Sequence, residues 1–181
     1  ALSLLSNLIE DEQFITSIDS ASDAISSCLR SGGKILCCGN GGSMSDAMHF
    51  AEELSGKFRE DRPAYAAIAI SSPAHITCVA NDYGYEATYA RMVEAVGRKG
   101  DVLLGISTSG NSPNVVRAMQ KAKELGMLTV GLTGKDGGKM KDICDIMICA
   151  PSDDTPRIQE AHILVGHIIC QLIEQEMFPD A

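Results

Sequence analysis

Five short apolar runs punctuate the chain, at residues 34–38, 66–70, 102–106, 128–132 and 146–149, with longer amphipathic stretches between them. None alternates polar with apolar residues. Each therefore reads as a strand covered on both faces, the condition of a parallel sheet held between helical layers. Two helical patterns open the chain; in the second, Ala21, Ala24, Ile25 and Leu29 recur at helical spacing from Ser20 onward, and Gly32-Gly33 ends it. Ser112-Pro113 is an N-cap followed by proline at the first helical position, and Gly126 closes that helix. Thr155-Pro156 repeats the opening signal for a long helix reaching about residue 177. The expected architecture is α/β, a three-layer α/β/α sandwich with a five-stranded, mostly parallel sheet and N-terminal helices. With 181 residues and no linker or repeat, one domain is expected over 1–181, comprising a helical segment at 1–31 and an α/β core, terminal helix included, at 32–181.

The last helix carries Ile158, Ala161, Ile163, Leu164, Val165, Ile168, Ile169, Leu172 and Ile173 around nearly its whole circumference. Such a helix is buried centrally or in a subunit interface, so a homo-oligomer is expected. The chain is acidic, with 24 Asp and Glu against 15 Lys and Arg and a net charge of -9. That balance repels phosphate backbones and acidic membranes, so neither nucleic acid nor membrane is an expected partner, and any anion must be held locally. Seven cysteines, an odd number without a Cys-x-x-Cys, sit mostly in apolar runs and fit small buried thiols in a reducing compartment. The first basic residue is Arg30, so no secretory n-region is present and no apolar run reaches membrane-spanning length. A cytoplasmic location is expected, with a few residues preceding Ala1.

Three glycine- and hydroxyl-rich loops follow predicted strands and precede predicted helices: Gly39-Asn40-Gly41-Gly42-Ser43, Ser107-Thr108-Ser109-Gly110-Asn111-Ser112, and Thr133-Gly134-Lys135-Asp136-Gly137-Gly138. In an open parallel sheet these lie at the carboxyl ends of strands, where ligands bind. Free N–H groups at a helix start, together with Ser and Thr hydroxyls, cradle a phosphate without a basic side chain. The serine loop, with four hydroxyls in six residues, is the strongest such site. A Walker A loop fails because Met140 follows Gly138-Lys139, and the dinucleotide fingerprint fails because Met44 stands at its third glycine. A sugar phosphate is the more natural ligand than a nucleotide.

Downstream of the first loop, His49 and Glu53 are four residues apart and share a helix face. One imidazole and one carboxylate so placed suit a metal or an acid–base pair, and also an ordinary solvated face. On the terminal helix, Gln159 and His167 are separated by about 12 Å of axial rise and about 80° of rotation, so one metal touches both only if both side chains reach toward it. His162 and His75 read as core histidines.

Cys38-Gly39-Asn40-Gly41-Gly42-Ser43 followed by Asp46-Ala47-Met48-His49-Phe50-Ala51-Glu52-Glu53-Leu54 resembles the bacterial phosphoheptose isomerases of the sugar-isomerase (SIS) fold, a flavodoxin-like α/β architecture. So do Ala80-Asn81-Asp82, Gly105-Ile106 with the serine loop, Thr133 to Gly138, and Arg157-Ile158-Gln159-Glu160. The resemblance implies conversion of sedoheptulose 7-phosphate to D-glycero-D-manno-heptose 7-phosphate, the entry to nucleotide-activated heptose for lipopolysaccharide core or other surface glycans. It implies one zinc ion per subunit on His49, Glu53, Gln159 and His167, and a homotetramer with sites near subunit interfaces. It also implies substrate contacts from Asn40, Gly41, Gly42, Ser43, Glu53, Asn81, Asp82, Ser107, Thr108, Ser109, Ser112 and Gln159. Glu53 is assigned as the base that shuttles the carbon-bound proton, and His167 as the group that opens the sugar ring and moves protons between oxygens.

Some relatives place an acid immediately before the Arg-Ile-Gln run, where this chain has Pro156, so a contact from that acid is not carried over. The main rival is a non-catalytic SIS protein that binds the replication initiator. It would keep the phosphate loops without needing His49, Glu53, Gln159 and His167 together.

Overall fold

A computed structural model describes residues 2–178. Ala1 and residues 179–181, the outer limits of the expected domain, lie outside the described residues. Two helices open the chain, α1 (Leu2–Glu10) and α2 (Glu12–Arg30). The second begins well before Ser20, because the Asp11 carboxylate caps it by accepting from the Gln13 and Phe14 N–H groups. The sheet and its connections follow as β1 (Ile35–Gly39), α3 (Gly42–Ser55), β2 (Ala67–Ala69), α4 (Pro73–Tyr83), α5 (Thr88–Val96), β3 (Val102–Ser107), α6 (Pro113–Glu124), β4 (Leu128–Gly134), β5 (Ile146–Ala150) and α7 (Thr155–Met177).

The strand order is β2-β1-β3-β4-β5, and every pairing is parallel, so the sheet is wholly rather than mostly parallel. Strand residues alternate between two apolar layers. Ile35, Cys37, Leu104 and Ile106 face α2, α3 and α7, whereas Leu36, Cys38 and Leu103 face α5 and α6. Replacing a fully buried member such as Leu104 by alanine costs about 2–5 kcal/mol. The run at 66–70 shortens to three residues because β2 is an edge strand, with Ile68 half-exposed. All seven cysteines are free, and burial pushes the Cys38 and Cys170 thiols up to about 12, so they stay protonated and unreactive.

Two departures from the sequence expectation bear on the site. The loop after β4 leads into a short 3-10 turn (Gly138–Asp142), not an α-helix, because Gly137 and Gly138 both hold positive φ. Helix α7 is not covered on every side within one chain: Leu164 and Ile168 are exposed beside Ile9 and Ile15. Among the described residues, no helix is long and apolar enough to cross a membrane.

Because β1 is flanked by β2 and β3, successive connections leave it in opposite directions. The loops after β1 and β3 therefore splay apart and open a crevice at the switch point.

Candidate active site

The loop after β1 is built for a tight approach. Gly41 holds φ 57 and ψ -121, a conformation costly for any residue with a Cβ, and it delivers Gly42 as the first residue of α3. Asn40 is held rather than free. Its amide pairs reciprocally with buried Asn114, at 2.8 Å in each direction, and its Oδ1 also accepts from the Tyr85 and Tyr89 hydroxyls. The single Tyr89 hydroxyl proton is shared between Asn40 Oδ1 and the Gly39 carbonyl. This network ties the end of β1 to the start of α6. Tyr85, Tyr89 and Asn114 were not singled out in the sequence, because nothing local marks them as partners of Asn40.

The serine loop closes on itself at the end of β3. Ser107 Oγ lies 2.9 Å from Ser112 Oγ and 3.5 Å from Ser109 Oγ, and Ser109 Oγ also accepts from Asn111 N–H. Ser112 is the N-cap of α6, but its hydroxyl faces Ser107 and caps no N–H. Pro113 brings no N–H to the helix start and Val115 N–H bonds Asn114 Oδ1, so the anion cradle is chiefly the cluster of hydroxyls, beside the positive end of the α6 dipole. Thr108 contributes its carbonyl to Gly134 N–H, and a Cβ at Gly110 (φ 64) would fall on the Gly137 carbonyl. The loop after β4 therefore buttresses the serine loop instead of forming a third helix-start cradle.

A second cluster stands where α3 and α7 pack together. His49 Nε2 is 2.9 Å from His167 Nε2 and 3.1 Å from Glu53 Oε1, and the three residues offer ligand atoms all within 4.8 Å of one another. His49 Nδ1 lies 3.1 Å from Glu52 Oε1. A carboxylate only accepts, and carboxylates stand at equal distance from both nitrogens of His49, so a neutral imidazole can donate to Glu52 or to Glu53 but not to both. With the proton on Nδ1 toward Glu52, the Nε2 lone pair meets the Glu53 carboxylate and a second imidazole nitrogen. A cation among the three satisfies all of them, with Glu52 as the carboxylate that orients a ligating histidine. The donor set fits a metal ion.

The remaining candidates are placed as follows. The Gln159 carboxamide rests against Gly42, at the first turn of α3 and about 10 Å along the axis before His49. Ser43 is buried on that same turn. Asn81 and Asp82, at the exposed end of α4, bond to each other at 2.7 Å; among the described residues, their only other hydrogen-bonding side chain is Cys78. Among the described residues no hydrogen bond ties them to the other candidates, although Tyr85, three residues beyond Asp82, reaches Asn40. Of the two expected core histidines, His162 is buried and His75 only half-buried; His75 Nε2 meets Thr88 O and His162 Nε2 meets Thr133 O, each at 2.9 Å. Among the described residues, however, His162 Nδ1 has no hydrogen-bond partner and neither has Asp46 Oδ2, and both residues line the small cavity beside His49 and His167. Burial lowers the His162 pKa and raises that of Asp46.

A parallel sheet with a hydroxyl cradle at its switch point defines the class. The SIS domain family matches residues 1–134, and the chain belongs to that family. Over nearly its full length it is similar to phosphoheptose isomerases. That of Vibrio vulnificus is 54% identical over 178 residues, covering 98% of this chain and 93% of the relative. That of Sodalis glossinidius is 56% identical over 178 residues, covering 98% and 92%. The solved structure of the Neisseria gonorrhoeae phosphoheptose isomerase superposes with a TM-score of 0.90 at 39% identity, covering 96% of this chain and 92% of that one. A phosphoheptose isomerase structure from Francisella tularensis gives 0.85 at 41%, covering 88% and 86%. More narrowly, then, the chain is a member of the phosphoheptose isomerase family, and it is an isomerase.

Proposed function

We propose that the chain interconverts sedoheptulose 7-phosphate and D-glycero-D-manno-heptose 7-phosphate through an enediol(ate), as the first step toward nucleotide-activated heptose for lipopolysaccharide core or surface glycans. The observation that carries this reading is the convergence of His49, Glu53 and His167 between α3 and α7, in a chain that also holds a hydroxyl cradle at the end of β3. The hydroxyls of Ser107, Ser109 and Ser112 and the α6 N-terminus hold the phosphate, with Thr108 on the same loop. The sugar extends toward the first turn of α3, where Gly41, Gly42, Ser43 and Gln159 line its path.

Moving the carbonyl from C2 to C1 takes a proton from C1 and returns one to C2, while a proton passes from O1 to O2. Glu53 carries the carbon-bound proton. Its Oε1 faces His49, so the second carboxylate oxygen serves C1 and C2. His167 opens the sugar ring and moves the proton between the oxygens. Zinc, held by His49, Glu53 and His167, would supply Lewis-acid polarisation of the carbonyl and charge stabilisation of the enediolate; the Gln159 carboxamide rests at Gly42, one level away, and would join as fourth ligand only by swinging toward the three.

The exposed apolar side of α7, with Leu164 and Ile168 beside Ile9 and Ile15, supports a homotetramer in which a neighbouring copy covers it. The acidic surface and buried free thiols support a cytoplasmic enzyme. The test is turnover of sedoheptulose 7-phosphate, with and without chelator, against ribulose 5-phosphate and fructose 6-phosphate. Heptose-selective, chelator-sensitive turnover is expected. Absence of turnover on all three returns the chain to the scaffold reading.

A further inference from the structure

The segment leaving α3 folds back across α7 and touches the His–Glu–His cluster from behind. Phe58 stacks on the His167 ring, with centroids 5.9 Å apart and planes inclined by 26°. Arg59 N–H reaches Glu174 Oε1 at 3.4 Å. Arg62 is the centre of the arrangement: its Nε donates to Glu174 Oε1 at 2.8 Å, while its terminal nitrogens donate to the Glu53 carbonyl at 2.6 Å and the Leu54 carbonyl at 2.9 Å. The Arg62 side chain is 1% exposed and that of Glu174 6%.

The placement of these bonds is specific. Glu53 and Leu54 lie in the last turn of α3, whose carbonyls have no intrahelical partners. Arg62 therefore holds the backbone of Glu53 itself. Glu174 lies seven residues beyond His167, two turns along the same face of α7. One buried ion pair thus joins the helix of His49 and Glu53 to the helix of His167, in line with all three. Replacing such a pair by apolar residues of similar size is often neutral or stabilising, so its presence is poorly explained by stability alone.

We propose that Arg62 and Glu174, with Phe58, are positioning residues that set the register of α3 against α7 and so hold His49, Glu53 and His167 at ligating distance. This inference rests on the metal-dependent isomerase reading above. It assigns the segment after α3 a role in metal affinity and turnover, not in substrate binding.

The test is the double variant Arg62→Met/Glu174→Leu, which leaves no unpaired buried charge, measured in three ways. Removing the ion pair itself is expected to cost little, but the Glu53 carbonyl and Arg59 N–H lose their partners, so the melting temperature is expected to fall by several degrees at most with the variant still folded. Zinc affinity, read by competition with a chromogenic chelator, is expected to fall by about 10–100-fold, the usual effect of losing a group that orients metal ligands. Turnover is expected to fall comparably in kcat, with KM for sedoheptulose 7-phosphate little changed. A folded double variant with wild-type zinc affinity and kcat overturns the proposal. If the double variant does not fold, Arg62→Lys keeps the charge pair while losing the two-carbonyl fork, and the same loss of affinity is expected. Failure of both to fold makes the pair structural and overturns the proposal as well. The two readings fail separately. A wild-type chain that binds zinc but does not turn over the heptose sinks the isomerase reading, while zinc affinity still decides the clamp. Turnover without zinc binding sinks the metal, while kcat decides the clamp; with neither, both readings fall.

Discussion

Gly42→Ala separates activity from stability with a single methyl group. A Cβ at Gly42 would lie 3.0 Å from Gln159 Cδ and 3.1 Å from Oε1, with Nε2 nearer still. Ordinary contact begins near 3.4 Å, so the carboxamide must withdraw by about 1 Å, and because it is the free end of a flexible side chain it does so cheaply. Gly42 opens α3 without a positive φ, so alanine there is tolerated, and the helix gains up to about 1 kcal/mol in propensity. The melting temperature should therefore hold or rise slightly. A displacement of about 1 Å in a group that touches substrate or metal costs about 100-fold in turnover. Steady-state kinetics on sedoheptulose 7-phosphate and thermal unfolding on the same preparation measure both. The Gln159→Ala background shows the route: if Gly42→Ala acts through Gln159, it adds little there. A folded Gly42→Ala enzyme with near wild-type turnover would refute the placement of Gln159 in the site.

Three further outcomes are expected. Glu53→Gln preserves shape while removing the base, so kcat should fall about 10²–10⁴-fold, with exchange of the C1 proton into deuterated solvent lost alongside. Retained exchange would exclude Glu53 as the carbon base. Ser107→Ala removes one hydroxyl of the cradle, worth about 1.5–3 kcal/mol when it bonds a charged phosphate, and should raise KM tenfold or more with a smaller effect on kcat; the reverse pattern would count against the cradle. The third concerns acid stability. Burial holds the His162 imidazole below its ordinary 6.5, so the unfolded chain binds a proton there before the folded one does. This contribution is intact above pH 6.5 and is lost as pH falls below it, at no more than about 1.4 kcal/mol per pH unit. His162→Gln should flatten the fall of the melting temperature below pH 6.5 relative to wild type, and an unchanged slope would show that His162 does not titrate.

Much of the fold was legible because burial on both faces leaves a direct mark. Strands such as β3 read as unbroken apolar runs, and Ser112-Pro113 marked the start of α6. The expectation slipped where local pattern and backbone geometry part company. Gly137 and Gly138, read as part of a cradle, are consecutive left-handed residues that stop a helix from forming. The Asp11 cap lies outside the apolar repeat that marked α2, so that helix begins earlier than the repeat suggests. Likewise, Arg62 could not be read as a partner of Glu53 and Glu174, since its role depends on the chain folding back across α7.

By itself the sequence determined the α/β class, the strand runs, the serine loop and the chemical types able to hold a sugar phosphate and a cation, because each is written in residues adjacent along the chain. Only the tertiary structure decided that His49 and His167, 118 residues apart, meet nitrogen to nitrogen. It also accounts for the axial gap between Gln159 and His167. Helices α3 and α7 pair Gly42 with Gln159 at one level and His49 with His167 at the next, steps of seven and eight residues in the same direction. That alignment is a property of packing two helices on one parallel sheet, and no local spacing records it.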